Sequence, residues 1–128
     1  MSQTNLKDLF GEVITAYTRS DAIADGTLID VSNMAKEAGF RFPVAITRTV
    51  WEGYIVPDKQ AEANGESQEG RLWDTLFMLH VEIKRSKSNG SQIFFSLYYG
   101  KELITLKAVV GPGDFMEPVI TIMQKDED

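Results

Sequence analysis

The sequence predicts an α+β fold, with short N-terminal helices and one long central helix packed on a C-terminal antiparallel β-meander of at least three strands. Three observations carry that prediction. Helix caps and glycine stops crowd the first half of the chain. Apolar residues between Gly70 and Arg85 recur at helical spacing, and after Ser91 the apolar period changes to two.

Asn5 to Tyr17 mixes two signals. Leu6, Leu9, Phe10 and Val13 have helical spacing, whereas Val13-Ile14-Thr15-Ala16-Tyr17 is rich in strand formers. This favours a short helical or irregular lead followed by a strand. Thr18-Arg19-Ser20-Asp21 reads as a capping box, with Thr18 as N-cap and Asp21 three residues later. The helix it starts is short, because Gly26 supplies a left-handed stop after Asp25. Thr27 to Val31 is a brief extended piece. Ser32 then caps a second short helix over Asn33 to Ala38, which Gly39 ends.

Pro43 disfavours helix at Phe42 and favours extended chain through Val44-Ala45-Ile46. Thr47 caps a helix to about Ile55 that buries Val50, Trp51 and Tyr54, and Pro57 closes it. Residues 57–70 hold almost nothing apolar and read as a mobile polar loop inside one domain, 1–128, rather than as a linker. From Gly70 or Arg71 to Arg85, Leu72, Leu76, Leu79 and Ile83 form an apolar stripe that Trp73, Phe77 and His80 widen. Arg71, Asp74, Thr75, Glu82 and Arg85 fall on the other side. In the sheet region Ile93, Phe95, Leu97 and Tyr99 share one face; Tyr99-Gly100-Lys101-Glu102 turns the chain into a strand whose Ile104, Leu106, Ala108 and Val110 alternate. Gly111-Pro112-Gly113-Asp114 breaks that strand, and Pro118 to Met123 supplies another. The acidic tail at 125–128 is expected to fray into solvent.

Composition narrows the function classes. The chain is 43% hydrophobic with a net charge of -6, which excludes disorder as its default state. No apolar run is long enough to span a bilayer, and Met1 to Asn5 has neither the basic cluster nor the apolar core of a signal peptide. With no cysteine, thiolate metal sites and disulfides are excluded. The expectation is a cytoplasmic protein with no membrane association. The excess of 19 acidic over 13 basic residues is the wrong sign for gripping phosphate backbones, so no direct nucleic-acid contact is expected.

Chemistry-bearing motifs are sparse. Gly111-Pro112-Gly113 lacks the spacing and the lysine of a phosphate loop, no Gly-x-Ser-x-Gly elbow occurs, and His80 is the single histidine. It sits on the apolar side of the long helix, where a core histidine bonded to backbone is the simpler reading. Asp21, Asp25 and Asp30 match no ion-binding loop, and Asp21 and Asp30 have capping roles open to them. No catalytic residue, metal or cofactor is expected. A ligand- or partner-binding set combines Arg19, Asp21, Arg48, Trp51, Arg71, Trp73 and Asp74, because arginine beside aromatic rings suits a planar anion or a protein hot spot. Arg71 with Asp74 also reads as an i,i+3 helix pair. Phe115 and Met116, bounded by glycine and proline, either cover the core edge or present a contact patch.

Several words of the chain are familiar together: Tyr17 to Gly26 with Leu28 to Ser32; Ala38-Gly39-Phe40 with Pro43 to Thr47 and Val50-Trp51; Arg71 to Asp74; and Gly111 to Asp114 with Glu117 to Met123. They resemble a family of small uncharacterised proteins carried by bacterial plasmids, phages and integrated elements. That resemblance implies a single-domain unit and a provenance, but no activity. The layout of helices followed by a meander also resembles barnase/RelE-type ribonucleases. Those enzymes need proton-transfer groups and cations on the sheet; here the sheet offers Lys107, Lys101, Tyr98 and Thr121 and no histidine. The expected function is therefore that of a non-enzymatic accessory protein of a mobile element. It acts by protein–protein contact, directed at a host nucleic-acid-handling or defence system. The alternative is a small enzyme or anion-binding domain built on the arginine/tryptophan set.

Overall fold

A computed structural model describes residues 16–86 and 90–128. Most of the segment expected to be a helical lead and strand, Asn5–Tyr17, lies outside these; its described part, Ala16 and Tyr17, belongs to no regular element. The chain is α+β. In order it forms α1 (Arg19–Ala24), β1 (Leu28–Asp30), α2 (Ser32–Glu37), β2 (Val44–Thr47), α3 (Arg48–Val50) continued by a π turn (Trp51–Ile55), α4 (Lys59–Ala63), α5 (Gln68–Arg85), β3 (Gln92–Tyr99), β4 (Glu102–Pro112) and β5 (Pro118–Gln124).

Local chemistry sets the short helices. The Thr18 hydroxyl accepts from the Asp21 amide while the Asp21 carboxylate accepts from the Thr18 amide, which completes the capping box. Gly26 stops α1 with φ of 84°. In α2 the expected cap is displaced by one residue: Val31 is the N-cap and makes no side-chain cap bond. Ser32 is instead the first helical residue. Its hydroxyl donates to Asp30 at 2.6 Å and accepts from the Val44 amide at 3.1 Å, pinning the helix start to β2. The polar stretch 57–70 holds α4, capped by Asp58, and the first residues of α5, capped by Ser67. A helix with no apolar stripe leaves no periodic signal, so composition alone reads as loop.

The sheet has five strands in the order β1-β2-β5-β4-β3. β3, β4 and β5 pair antiparallel in sequence, and β1 pairs antiparallel with β2. β2 runs parallel to β5, so the sheet is mixed and larger than a three-strand meander. The β3–β4 turn has positive φ at Gly100 and not at Lys101, the pattern of a type II′ turn that suits strand twist. Across the five strands one row reads Ile29–Ile46–Ile122–Ala108–Ile93, each paired with the next.

Helix α5 covers that face through Leu72, Leu76 and Leu79, and Ile46, Leu106 and Ile122 are fully enclosed beneath. Each such side chain stabilises the fold by about 1.5–3 kcal/mol. Two expectations for α5 are corrected. Thr75, assigned to the solvent side, is fully buried, whereas Trp73 and Phe77 are exposed. Thr75 is tolerated inside because its hydroxyl donates to the Arg71 carbonyl at 2.7 Å and meets Tyr99 Oη at 2.6 Å.

Candidate functional site

The arginines expected to share a site are dispersed, and each already has partners. Arg19 reaches across to β5, donating to Thr121 Oγ1 at 2.7 Å and to the Ile120 carbonyl at 2.9 Å. Burial pulls its pKa down, with Asp30, Asp114 and Glu117 acting the other way. Arg48 closes the C-terminal end of α1 by donating to the carbonyls of Gly26 at 2.8 Å and Asp25 at 3.1 Å. Beside it the Asp25 carboxyl is held below its ordinary value, chiefly by the hydrogen bond from Tyr17 Oη at 2.6 Å.

Arg71 serves a third place. Its guanidinium donates to Glu66 at 2.8 Å and to the Tyr54 carbonyl at 2.8 Å, and lies 5.7 Å from the Tyr99 ring centroid. The expected Arg71–Asp74 pair is thus replaced by Arg71–Glu66. Nothing in helical spacing points to Glu66, which precedes the helix. The Tyr54 carbonyl that Arg71 takes lies within the π turn, whose wider winding shifts the Val56 amide onto the Trp51 carbonyl. Tyr54 in turn stacks on Tyr99 with centroids 5.4 Å apart. Arg19 and Arg48 line different cavities, and Trp51 packs against the core instead of joining either. Asp21 is occupied by the capping box.

What remains of the expected set is Trp73 and Asp74, neighbours on the outer side of α5. Here the fold presents a surface. Asp74, Phe77 and Met78 from α5 and Ser96, Tyr98 and Leu103 from the sheet line a groove of about 370 Å³. Phe77, Tyr98, Leu103 and Phe94 are each more than half exposed. The groove runs along β3, which has a single strand neighbour among the described residues. The Val110 amide donates to the Ser91 carbonyl, so in this antiparallel pair Ser91, Ile93, Phe95, Leu97 and Tyr99 turn their main chain to β4. The main-chain groups of Gln92, Phe94, Ser96 and Tyr98 face outward. Sequence alternation marks Phe94 and Tyr98 as outward residues, but that β3 is an edge depends on strand order and is not written in the alternation.

The rest of the molecule offers less chemistry. Among the described residues no group of three His, Asp or Glu side chains is placed to hold a metal ion, and no helix is long and apolar enough to cross a membrane. Lys107, the cation that a ribonuclease-like sheet would use, is buried, with its ammonium donating to the Glu127 carbonyl. Phe115 and Met116 do not cover the core edge; they are 89% and 79% exposed, with Met116 at a φ of 68°.

A family model described as a family of unknown function, DUF6573, matches residues 7–128. The chain belongs to this family. No curated protein and no solved structure matches it. In this DUF6573 chain two of the familiar words meet: the Asp114 carboxylate, from the Gly111–Asp114 turn, accepts from the amides of Arg19 at 2.8 Å and Ser20 at 3.0 Å. Together with Thr18 it satisfies the first three free amides of α1.

Proposed function

We propose that this chain is a non-enzymatic binding protein that captures an extended segment of a protein partner along the β3 edge. The observation that carries the reading is the coincidence of four outward-facing main-chain positions, Gln92 to Tyr98, with an apolar groove beside them. Natural sheets blunt an open edge with lysine, proline or a bulge. β3 has none of these; it carries Phe94 and Tyr98 there instead. An added strand gains main-chain hydrogen bonds on the edge, and its alternate side chains fill the groove against Phe77 and Leu103. Trp73 and Asp74 flank the same surface. The dispersal of Arg19, Arg48 and Arg71, each engaged with carbonyls, a hydroxyl or a carboxylate, weighs against the anion-binding alternative.

The resemblance to small proteins of plasmids, phages and integrated elements supports an accessory role in the cytoplasm of a bacterial host. The net charge of -6 suits competition for a basic partner surface such as one that handles nucleic acid. The test is affinity capture from a bacterial host with the wild-type chain and with Phe94→Lys/Tyr98→Lys. One dominant protein recovered by the wild type and lost from the variant supports the reading. Equal recovery by both, or recovery of chaperones alone, overturns it.

A further inference from the structure

We infer that the chain also carries a small-molecule site, separate from the β3 edge, for an amphipathic carboxylate. Its hydrocarbon body is seated between the end of α5 and the sheet, and its head group is held by Arg41 and Lys84.

The site starts from a gap in the core. In the row Ile29–Ile46–Ile122–Ala108–Ile93, Ala108 is the one small side chain. Gly39, with no side chain at all, lies across from the His80 imidazole: a Cβ there would stand 3.0 Å from Nε2. Between these two economies of volume lies a cavity of about 370 Å³. That falls within the range of small-molecule sites, roughly 300–1,000 Å³. Its walls are apolar, including Phe40, Ile83, Ile93 and Ile120. Apolar space of this kind is retained at a cost in stability, since filling it would bury more surface.

The charged side chains of the described lining have one sign. In a chain with 19 acidic and 13 basic residues, the described residues that line this cavity include Arg41 and Lys84 and no carboxylate. Both cations are exposed, and neither takes part in an ion pair or hydrogen bond among the described residues. Arg85, one residue on, shows the contrast: its guanidinium is paired with Glu82 at 2.8 Å. His80, which also lines the cavity, contacts the Phe40 ring edge-on with centroids 5.5 Å apart, which holds the imidazole at the wall. A guanidinium presents a fork that fits a carboxylate, and the ammonium supplies a second, movable donor. A hydrocarbon chain ending in one carboxylate therefore matches the cavity in polarity and in charge.

The experiment titrates the full chain with decanoate and with its neutral counterpart decan-1-ol, both below their aggregation concentrations, followed by amide NMR shifts and calorimetry. Decanoate is expected to shift the Gly39, Ile93 and Ala108 amides and to bind roughly tenfold more tightly than the alcohol. Arg41→Gln/Lys84→Gln, two exposed changes, should erase that preference at an unchanged melting temperature. Ala108→Leu should fill the gap and weaken both ligands. Equal affinity of decanoate and decanol for the wild type overturns the proposal, as do shifts confined to β3 outside Ile93. If Ala108→Leu does not fold, the Arg41/Lys84 comparison alone decides.

Discussion

Tyr99 donates its phenolic hydrogen bond to Thr75 Oγ1 at 2.6 Å, inside the interface between α5 and β3. The direction follows from Thr75, whose single hydroxyl proton is already given to the Arg71 carbonyl. One buried phenol thus ties the long helix to the edge strand.

Replacing Tyr99 by Phe should lower stability at neutral pH by about 1–2 kcal/mol, the cost of a lost buried hydrogen bond. The pH dependence is more specific. Burial first pushes the Tyr99 hydroxyl up from 10.0 to about 12, only partly offset by the Thr75 hydroxyl, which turns its proton to the phenolate once that forms, and by Arg71. A raised folded-state value means the contribution is complete below the unfolded value and is lost as pH rises through the folded one. Wild-type stability should therefore fall between pH 10 and 12 by about 2–3 kcal/mol from this group. Urea unfolding of Tyr99→Phe across that window should show a shallower fall; parallel curves would contradict the assignment.

Asp114→Ala strips two acceptor bonds from the start of α1 although the residues lie far apart in sequence. The expected loss is about 1–2 kcal/mol. Amide exchange should speed up at Arg19 and Ser20 while Ala35 in α2 stays protected. Uniform acceleration throughout would mean global unfolding and would remove the local account.

Gly39→Ala meets two obstacles, a φ of 105° and the His80 ring. The backbone strain alone costs about 1–3 kcal/mol. Measured in a His80→Ala background, the same change should cost less, because the clash is gone while the strain remains. Equal penalties in the two backgrounds would show that the ring gives way freely.

Phe94→Lys and Tyr98→Lys are exposed changes on the outer side of β3 and should leave the unfolding free energy from urea titration within about 0.5 kcal/mol of wild type. A larger loss would show that these rings hold the fold together instead of waiting for a partner.

The parts legible in the sequence were those whose causes are local. Thr18 and Asp21 announce their helix because both halves of the capping box lie within one turn, and β3 alternates because one of its faces is packed. Arg71 and Thr75 read as solvent-facing because their partners come from elsewhere: Glu66 before the helix, the Tyr54 carbonyl in the π turn, Tyr99 on β3. The arginine/tryptophan set looked like a site for the same reason. Residue type was visible, but the carbonyls that occupy Arg19 and Arg48 were not. Ser32 misled by a single position, since β-strand Val44 competes for its hydroxyl.

The parallel pairing of β2 with β5 has a temporal meaning. β5 lies between β2 and β4, although of the five strands it is the last to be synthesised. Until residue 124 has emerged, β1–β2 and β3–β4 share no strand pairing, and each has an unsatisfied flank. The final strand is the keystone: nascent chains stopped short of Pro118 should be protease-sensitive and sticky, and acquisition of the native state should come as one late, abrupt event.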